Sequence, residues 1–260
     1  MELVLIGVMA LLTSGLTFFS GFGLGTILMP VFALFFPVPL AIAATAVVHF
    51  ANNLFKFGLM AKQADWRVVA RFSVPAAAAA IAGAIILNLF DSLPVIMRYA
   101  IGGSTFEVTV VKAVIGVLIV IFALLELWPP FQVLAFPPRW LPLGGVLSGF
   151  FGGLSGNQGA LRSAFLLKAG LSKEAFVATG VVSAVIVDAA RLVVYGTAVV
   201  ATHFEQSQAV VAPVVVGSVC AFIGAFVGKR VLQKVTLHTV RLVVAVAMLA
   251  IGAGLVSGLI

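Results

Sequence analysis

The chain has 260 residues, of which 63% are hydrophobic and 9% are charged, and its net charge is +7. Soluble domains contain roughly 45–50% apolar and about 25% charged residues, so this composition excludes a soluble globular protein and predicts a polytopic membrane protein. The basic residues stand at the ends of apolar segments, as membrane orientation and contact with lipid headgroups require, and we expect no nucleic-acid partner. Cys220 is the single cysteine. Redox and zinc motifs are therefore excluded, and we expect no metal and no cofactor.

Eight apolar blocks follow one another along the chain. They cover residues 2–36, 39–60, 68–90, 108–127, 140–168, 174–200, 207–228 and 237–260. The first and fifth blocks are longer than the roughly 20 residues that a membrane span needs. Each of these two blocks contains a glycine-rich interruption, at 20–25 and 152–159, where a straight helix is weakened. The pattern predicts an all-α membrane protein with two broken segments.

The two interruptions belong to a predicted tandem repeat. A shift of 134 positions superposes Gly25 on Gly159 and Thr45 on Thr179. Fixed-period similarity of this kind indicates repeated structural units. We predict a first membrane repeat over residues 1–130 and a second over 131–260, which together form one integral membrane domain.

The distribution of basic residues distinguishes two arrangements of these repeats. If all eight blocks cross the membrane, the basic residues at 62–71 and those at 229–241 lie on opposite sides, although short cytoplasmic loops collect Lys and Arg. If the first and fifth blocks are re-entrant hairpins, both groups are cytoplasmic and both termini are extracytoplasmic. Each repeat is then a glycine-broken hairpin plus three transmembrane helices, and the repeats are inverted. Broken helices that cross fully, with parallel repeats, are the alternative.

The broken segments are the predicted binding site. Backbone N–H groups released by a break cannot bond to lipid, and the following helix start attracts anions. Close helix packing is the other explanation for such glycines. The candidate residues of the two breaks are Gly21, Gly23, Gly25 and Thr26 in the first, and Gly156, Asn157, Gln158 and Gly159 in the second.

Polar side chains inside the second block form the next candidate group. His49, Asn52, Asn53 and Lys56 have the spacing i, i+3, i+4, i+7, so they share one helix face directed to the interior of the bundle. Imidazole titrates near neutral pH, so His49 is either a proton carrier or a structural histidine.

The sixth block contains Asp188 and Arg191, three residues apart on one helix. The two side chains either neutralise each other or act on a substrate, with Arg191 holding an oxyanion and Asp188 carrying a proton. Arg162 follows Gly159 closely and either supplies charge at the break or extends to the headgroups.

The chain resembles the TauE/SafE family of sulfite-exporter-like permeases, also called domain of unknown function 81. The resemblance extends over nearly the whole chain. In the first half it rests on the glycine cluster leading into 27–30, on 39–41, Ala44-Thr45, Gly58 and the Asp65-Trp66-Arg67 turn, and in the second half on 152–156, 166–167, 170–171, Ala178-Thr179 and Pro213. It implies secondary transport of sulfite, thiosulfate or an organosulfonate.

We therefore predict a permease of the cytoplasmic (inner) membrane that moves a small sulfur-containing anion through a midplane site between the two breaks. The hydrogen-bonding groups are Thr45, Thr179, Asn157, Gln158 and the backbone amides of the breaks. Arg191 and Arg162 supply positive charge, and His49 or Asp188 carries a coupled proton. A passive anion channel, a carrier for a small carboxylate and a structural subunit are the alternatives. The protein is not expected to be an enzyme, since hydrolase and nucleotide-binding motifs are absent from the sequence. We expect it to be a monomer or homodimer.

Overall fold

A computed structural model describes residues 1–16, 24–231 and 237–260. Helices dominate these residues. The α-helices are α1 Glu2–Leu16, α2 Leu24–Ala33, α3 Val38–Met60, α4 Trp66–Asp91, α5 Val110–Leu127, α6 Pro129–Gln132, α7 Leu141–Ser155, α8 Gly159–Leu166, α9 Lys173–Val194, α10 Val200–Thr202, α11 Phe204–Val231 and α12 Leu237–Ser257. Short 3₁₀ turns at Ala61–Gln63 and Pro138–Trp140 and a π-helical turn at Tyr195–Val199 complete the helical segments.

Five helical segments of the described chain are long and apolar enough to cross a membrane. They are Val38–Gln63, Trp66–Asp91, Val110–Leu127, Lys173–Val199 and Phe204–Val227. Their outer faces carry rows of exposed apolar side chains at helical spacing, such as Val211, Val215, Val219 and Ile223 on α11. Apolar surface on this scale is typical of contact with lipid. These helices agree with the predicted all-α polytopic membrane protein.

A β-hairpin between α4 and α5 departs from the purely helical expectation. Strands β1 Val95–Ile101 and β2 Ser104–Thr109 pair antiparallel across a turn at Gly102 and Gly103, both of which have positive φ. Tyr99 stacks on Phe106 across the strands, with ring centroids 5.6 Å apart. The Tyr99 hydroxyl donates a hydrogen bond to the Ser257 carbonyl at the end of α12. The hairpin therefore fastens the α4–α5 connection to the last helix.

Local side-chain bonds determine where two of the long helices begin. The Asp65 carboxylate accepts hydrogen bonds from the backbone N–H groups of Arg67 and Val68, at 2.9 and 3.0 Å, at the start of α4. The Ser172 hydroxyl accepts a bond from Ala175 N in the same way at the start of α9. Such caps satisfy amides that have no partner within the helix. The Asp65-Trp66-Arg67 turn noted in the sequence is thus a helix start.

Glycines allow α7 to pack closely against α4. A Cβ atom at Gly145, Gly149 or Gly153 would lie 2.0–2.1 Å from a carbonyl oxygen of α4. The three oxygens belong to Phe72, Ala76 and Ala80. Since no Cβ atom tolerates such a distance, this stripe acts in helix packing, as small-residue stripes commonly do in membranes. Packing thus explains Gly153 within the second glycine cluster.

Other close helix pairs use the same device. A Cβ atom at Gly224 of α11 would lie 2.2 Å from the Leu11 carbonyl oxygen of α1. One at Gly116 of α5 would lie 2.8 Å from the Gly252 carbonyl oxygen of α12. The helix α1 packs extensively on α11, α4 on α7, α5 on α12 and α3 on α9.

The second glycine-broken block folds back on itself. Gly156 has φ +82 and ends α7, and α8 then returns along α7. The Ser148 hydroxyl donates to the Gln158 carbonyl at 2.9 Å, and a Cβ atom at Gly144 would meet the Phe165 ring. With 15 residues, α7 is about 22 Å long, less than the roughly 30 Å hydrocarbon core of a bilayer. The helices α7 and α8 therefore form a short helical hairpin.

Candidate functional site

Asp188 of α9 is the centre of a buried polar cluster that joins three segments of the chain. Its side chain is 0% exposed. His49 Nδ1 of α3 lies 2.6 Å from Asp188 Oδ2, and Gln158 Nε2 of the hairpin turn donates to Oδ1 at 2.9 Å. Arg191 Nε and Nη2 also donate to Oδ1, at 3.0 and 2.7 Å. One carboxylate thus accepts bonds from two long helices and from the break between α7 and α8.

Arg191 fastens α9 to the end of α7. Its Nη1 donates to the Gly152 carbonyl oxygen at 2.8 Å, and the Tyr195 hydroxyl one turn later donates to the Gly153 carbonyl oxygen. The guanidinium also lies beneath the turn, since a Cβ atom at Gly156 would be 3.6 Å from Arg191 Nη1. The carbonyl end of a helix is its negative end, so a guanidinium is favourably placed there.

Gly25, the described glycine of the first cluster, lies beside Gly156 of the second cluster and beside His49. A Cβ atom at Gly25, in the first turn of α2, would lie 3.5 Å from the Gly156 carbonyl oxygen and 3.8 Å from His49 Cδ2. Gly25 is the second described residue of α2, so the backbone of this helix passes close to the Gly156 carbonyl. Gly21 and Gly23, predicted for the same break, lie outside the described residues.

The polar face of α3 is buried along its whole length, in agreement with the predicted interior orientation. Asn53 Nδ2 donates to the His49 carbonyl at 2.9 Å and lies 3.1 Å from His49 Nδ1, so Asn53 packs against the imidazole. Asn52 takes another direction, because its Oδ1 accepts a bond from Ser14 of α1 at 3.2 Å. Lys56 is buried as well. His49 thus contacts α9, whereas Asn52 contacts α1.

Arg162 of α8 is buried and does not extend to the headgroups. Its Nε would lie 3.7 Å from a Cβ atom at Gly180, so the guanidinium packs on α9. It is within electrostatic range of Asp188 and Lys56. The surroundings of Asp188 therefore combine one carboxylate with the permanent positive charges of Arg162 and Arg191.

The other residues predicted for the site lie at several different places in the structure. Thr179 lies beside the start of α4, where its hydroxyl accepts a bond from Asp65 N at 3.0 Å. Asn157 bonds to Ser155 Oγ at 3.2 Å within the hairpin turn, and Thr26 is buried in α2. Thr45 Oγ1 is buried and has no hydrogen-bond partner among the described residues.

Seven predicted residues are therefore brought together. They are Gly25, His49, Gly156, Gln158, Arg162, Asp188 and Arg191. Gly159 begins α8 directly after Gln158. Asn52 and Thr179 bond outside the cluster.

Three features of the cluster were not predicted from the sequence. The contact between His49 and Asp188 joins residues that are 139 positions apart, and no local pattern indicates it. The roles of the Gly152 and Gly153 carbonyls are equally invisible, since every residue has a carbonyl group. Tyr195 does carry a signal, because it follows Arg191 by four positions and therefore shares its helix face.

These groups have a consistent chemistry. Guanidinium N–H groups, an amide N–H, an imidazole and the N–H groups of a helix start all donate hydrogen bonds to oxyanions. Ionisable residues inside membrane segments are expensive and typical of substrate or proton pathways. A buried charged cluster of this kind in a polytopic helical protein is typical of the membrane transporter class.

Comparison with known families agrees with this class. The family model "Sulfite exporter TauE/SafE" matches residues 3–255, and the chain belongs to this family. Membership implies a membrane transporter of sulfite-type anions. The chain has no significant match among curated proteins or among solved structures.

Proposed function

We propose that the protein is a secondary transporter that moves a small sulfur-containing anion, such as sulfite, thiosulfate or an organosulfonate, across the cytoplasmic membrane. The substrate site lies near the bilayer midplane, where the two glycine-rich breaks meet. One observation carries this proposal: Gly25 and Gly156 approach each other directly above the buried His49–Asp188–Arg191 group. Converging interrupted segments are the usual position of transporter sites.

The donors around this point favour an anion as the substrate. Arg191 and Arg162 supply positive charge, and the first turn of α8, directly after Gln158, supplies backbone N–H groups. The Thr45 hydroxyl is buried and has no hydrogen-bond partner among the described residues. It is therefore a further group that would donate a hydrogen bond to a bound oxyanion. Gln158 and Asn157 lie in the turn that would cover the substrate.

The proposed transporter consists of two inverted repeats, residues 1–130 and 131–260, that move relative to each other. This arrangement is supported by the major helix contacts, which occur in matching pairs. The helix α1 contacts α11 as its equivalent α7 contacts α4, while α5 and α12, and α3 and α9, contact their own equivalents. In this arrangement the α7–α8 hairpin is re-entrant, both termini are extracytoplasmic, and rocking of one repeat against the other exposes the site to alternate sides.

A carrier is favoured over a passive channel by the closure of the site. Asp188, Arg191 and Gln158 are almost completely buried and bonded to one another, and a channel needs a continuous wet path instead. The proposed carrier must change conformation in each cycle, so its rate is limited by that change.

Counterflow in proteoliposomes tests this proposal. Vesicles containing the protein and unlabelled thiosulfate should accumulate labelled thiosulfate faster than vesicles without the internal pool. Equal rates, or conductance far above carrier turnover, would favour the channel. Vesicles without protein give the background rate.

A further inference from the structure

We infer that the Asp188 carboxylate occupies the place of the transported anion, and that the anion binds when Asp188 takes up a proton. This inference rests on the proposed function and concerns the same site. It turns the cluster from a simple anion-binding pocket into one that couples each anion to a proton.

The hydrogen bonds around Asp188 are those that an oxyanion would require. Its Oδ1 accepts three bonds, two from Arg191 and one from Gln158, and its Oδ2 faces His49 Nδ1. A carboxylate and a sulfur oxyanion present similar oxygens to such donors. While Asp188 is ionised, these donors are engaged and not available to an incoming anion.

Charge balance gives the second step of the argument. The charged or titratable groups near Asp188 are His49 on α3, Arg162 on α8, and Arg191 and Tyr195 on α9 and its π-helical extension, while Lys56 on α3 lies near Arg162. An anion entering beside ionised Asp188 would place two negative charges together in a buried site, at a high cost in free energy. Protonation of Asp188 lowers that cost, because the carboxyl group no longer contributes a negative charge. A monoanion then leaves the net charge of the site unchanged, and dianionic thiosulfate adds a single negative charge beside Arg162 and Arg191.

His49 is placed to deliver this proton. Its Nδ1 lies 2.6 Å from Asp188 Oδ2, and Asn53 Nδ2 packs against the ring, 3.1 Å from Nδ1 and 3.2 Å from Nε2. An imidazolium at this distance can transfer its Nδ1 proton to Oδ2, which forms the O–H bond of a neutral carboxylic acid and leaves a neutral imidazole. The neutral acid accepts weaker bonds than the carboxylate, so the Arg191 N–H groups become available to the anion.

This mechanism couples anion and proton in the same direction. An anion that leaves the site allows Asp188 to ionise and to recover its bonds to Arg191 and Gln158. The Asp188 carboxylate then takes the place of the anion that has left. In this mechanism neither the proton nor the anion crosses the membrane alone. The coupling follows from competition for one set of donors and needs no second site.

Proton uptake on binding is the decisive measurement. Thiosulfate is the probe, since it does not titrate near neutral pH as sulfite does. Calorimetric titration of the purified protein in two buffers of different ionisation enthalpy gives the number of protons taken up. For the wild type we expect about one proton per bound anion, by linkage between the two equilibria.

Two variants assign that proton. Asp188→Asn should bind thiosulfate with no proton uptake and without pH dependence, whereas His49→Gln should still take up about one proton, because Asp188 is the final acceptor. The matched control is Asp91→Asn, which removes the carboxylate of another His–Asp pair, Asp91 with His203 at 2.7 Å, and should behave as the wild type.

The outcomes are distinguishable. Binding without proton uptake by the wild type, or undiminished uptake by Asp188→Asn, would overturn this inference and leave the proposed function standing. Loss of uptake in His49→Gln would assign the proton to the imidazole and would also overturn it. Failure of the wild type to bind any sulfur oxyanion would contradict the proposed function itself. If Asp188→Asn does not fold, the proton count of the wild type together with that of His49→Gln still decides the inference.

Discussion

Gly156 lies directly over the guanidinium of Arg191, in a backbone conformation with φ +82. Replacement of Gly156 by alanine has two effects. It strains the left-handed turn by about 1–2 kcal/mol and places a methyl group against Arg191 and beside the proposed substrate. We expect Gly156→Ala to fold with a lowered Tm and to lose most of its counterflow activity.

Gly170→Ala is the matched control for this variant. Gly170 has φ +76, and a Cβ atom there would meet no atom within 4 Å. The backbone cost is therefore similar, while the site is undisturbed. Equal loss of transport in the two variants would show that instability, rather than the position of Gly156, is the cause.

Arg191 and Asp188 should show strong energetic coupling. Arg191→Met leaves a buried carboxylate without its cation, which costs about 3–5 kcal/mol of unfolding free energy. The double variant Arg191→Met/Asp188→Asn should recover a large part of that loss, because the uncompensated charge is gone. Unfolding in mixed detergent micelles measures all four corners of the cycle.

The exposed pair Arg98–Glu107 on the β-hairpin provides the comparison for this cycle. These side chains are 65% and 43% exposed, so Arg98→Met should cost less than about 1 kcal/mol. A cycle for Arg191 and Asp188 that is equally weak would contradict the account of a buried, mutually dependent pair.

The α4–α7 interface should tolerate no side chain at its centre. A Cβ atom at Gly149 would lie 2.0 Å from the Ala76 carbonyl oxygen, so Gly149→Val must separate the two helices. We expect a destabilisation of about 4 kcal/mol or more and a lowered Tm of the purified protein. Gly58→Ala in α3, where a Cβ atom has open space, should instead be neutral or stabilising by about 0.5–1 kcal/mol.

The hairpin arrangement predicts that Arg139 and Lys168 lie on the same side of the membrane. In support, Phe136 N bonds to the Ala164 carbonyl at 3.1 Å, which brings the two ends of the hairpin together. In a Cys220→Ser background, the exposed positions Arg139→Cys and Lys168→Cys should resist an impermeant maleimide added outside intact cells. Ser104→Cys, on the β-hairpin, should react.

Labelling of Arg139→Cys and Lys168→Cys from opposite sides would contradict the re-entrant hairpin. It would favour the alternative in which the second broken segment crosses the membrane fully. Inverted vesicles, in which the accessible side is exchanged, supply the complementary measurement for the same three variants.

The sequence predicted the elements of the cluster better than their contacts. The i, i+3 spacing of Asp188 and Arg191 predicts an ion pair because helix geometry alone brings such residues together, and the structure contains it. The bond between His49 and Asp188 could not be predicted, since it depends on how α3 and α9 pack in three dimensions. Thr179 shares its local sequence with Thr45 and both are buried, yet Thr179 contacts the start of α4, because the neighbours of the two positions differ.

The β-hairpin was missed for a different reason. Its signal is present in the sequence, as Gly102 and Gly103 separate two short segments rich in β-branched and aromatic residues. In a chain dominated by long apolar helices, a connection of this length reads simply as a loop. The second glycine cluster was predicted, but the sequence did not distinguish the roles of its members. Gly153 in α7 allows close helix packing, whereas Gly156 forms the turn after α7.

The thermal stability of the purified protein in the presence of a panel of anions shows whether the site binds sulfur-containing anions. Sulfite, thiosulfate and sulfoacetate should each raise the Tm, with a stabilisation of about 2.7 kcal/mol where the ligand concentration is 100 times its Kd. Gly156→Ala should lose this response and Gly170→Ala should keep it. Stabilisation by simple carboxylates alone, or by none of the anions, would contradict a sulfur-anion site where Gly25 meets Gly156.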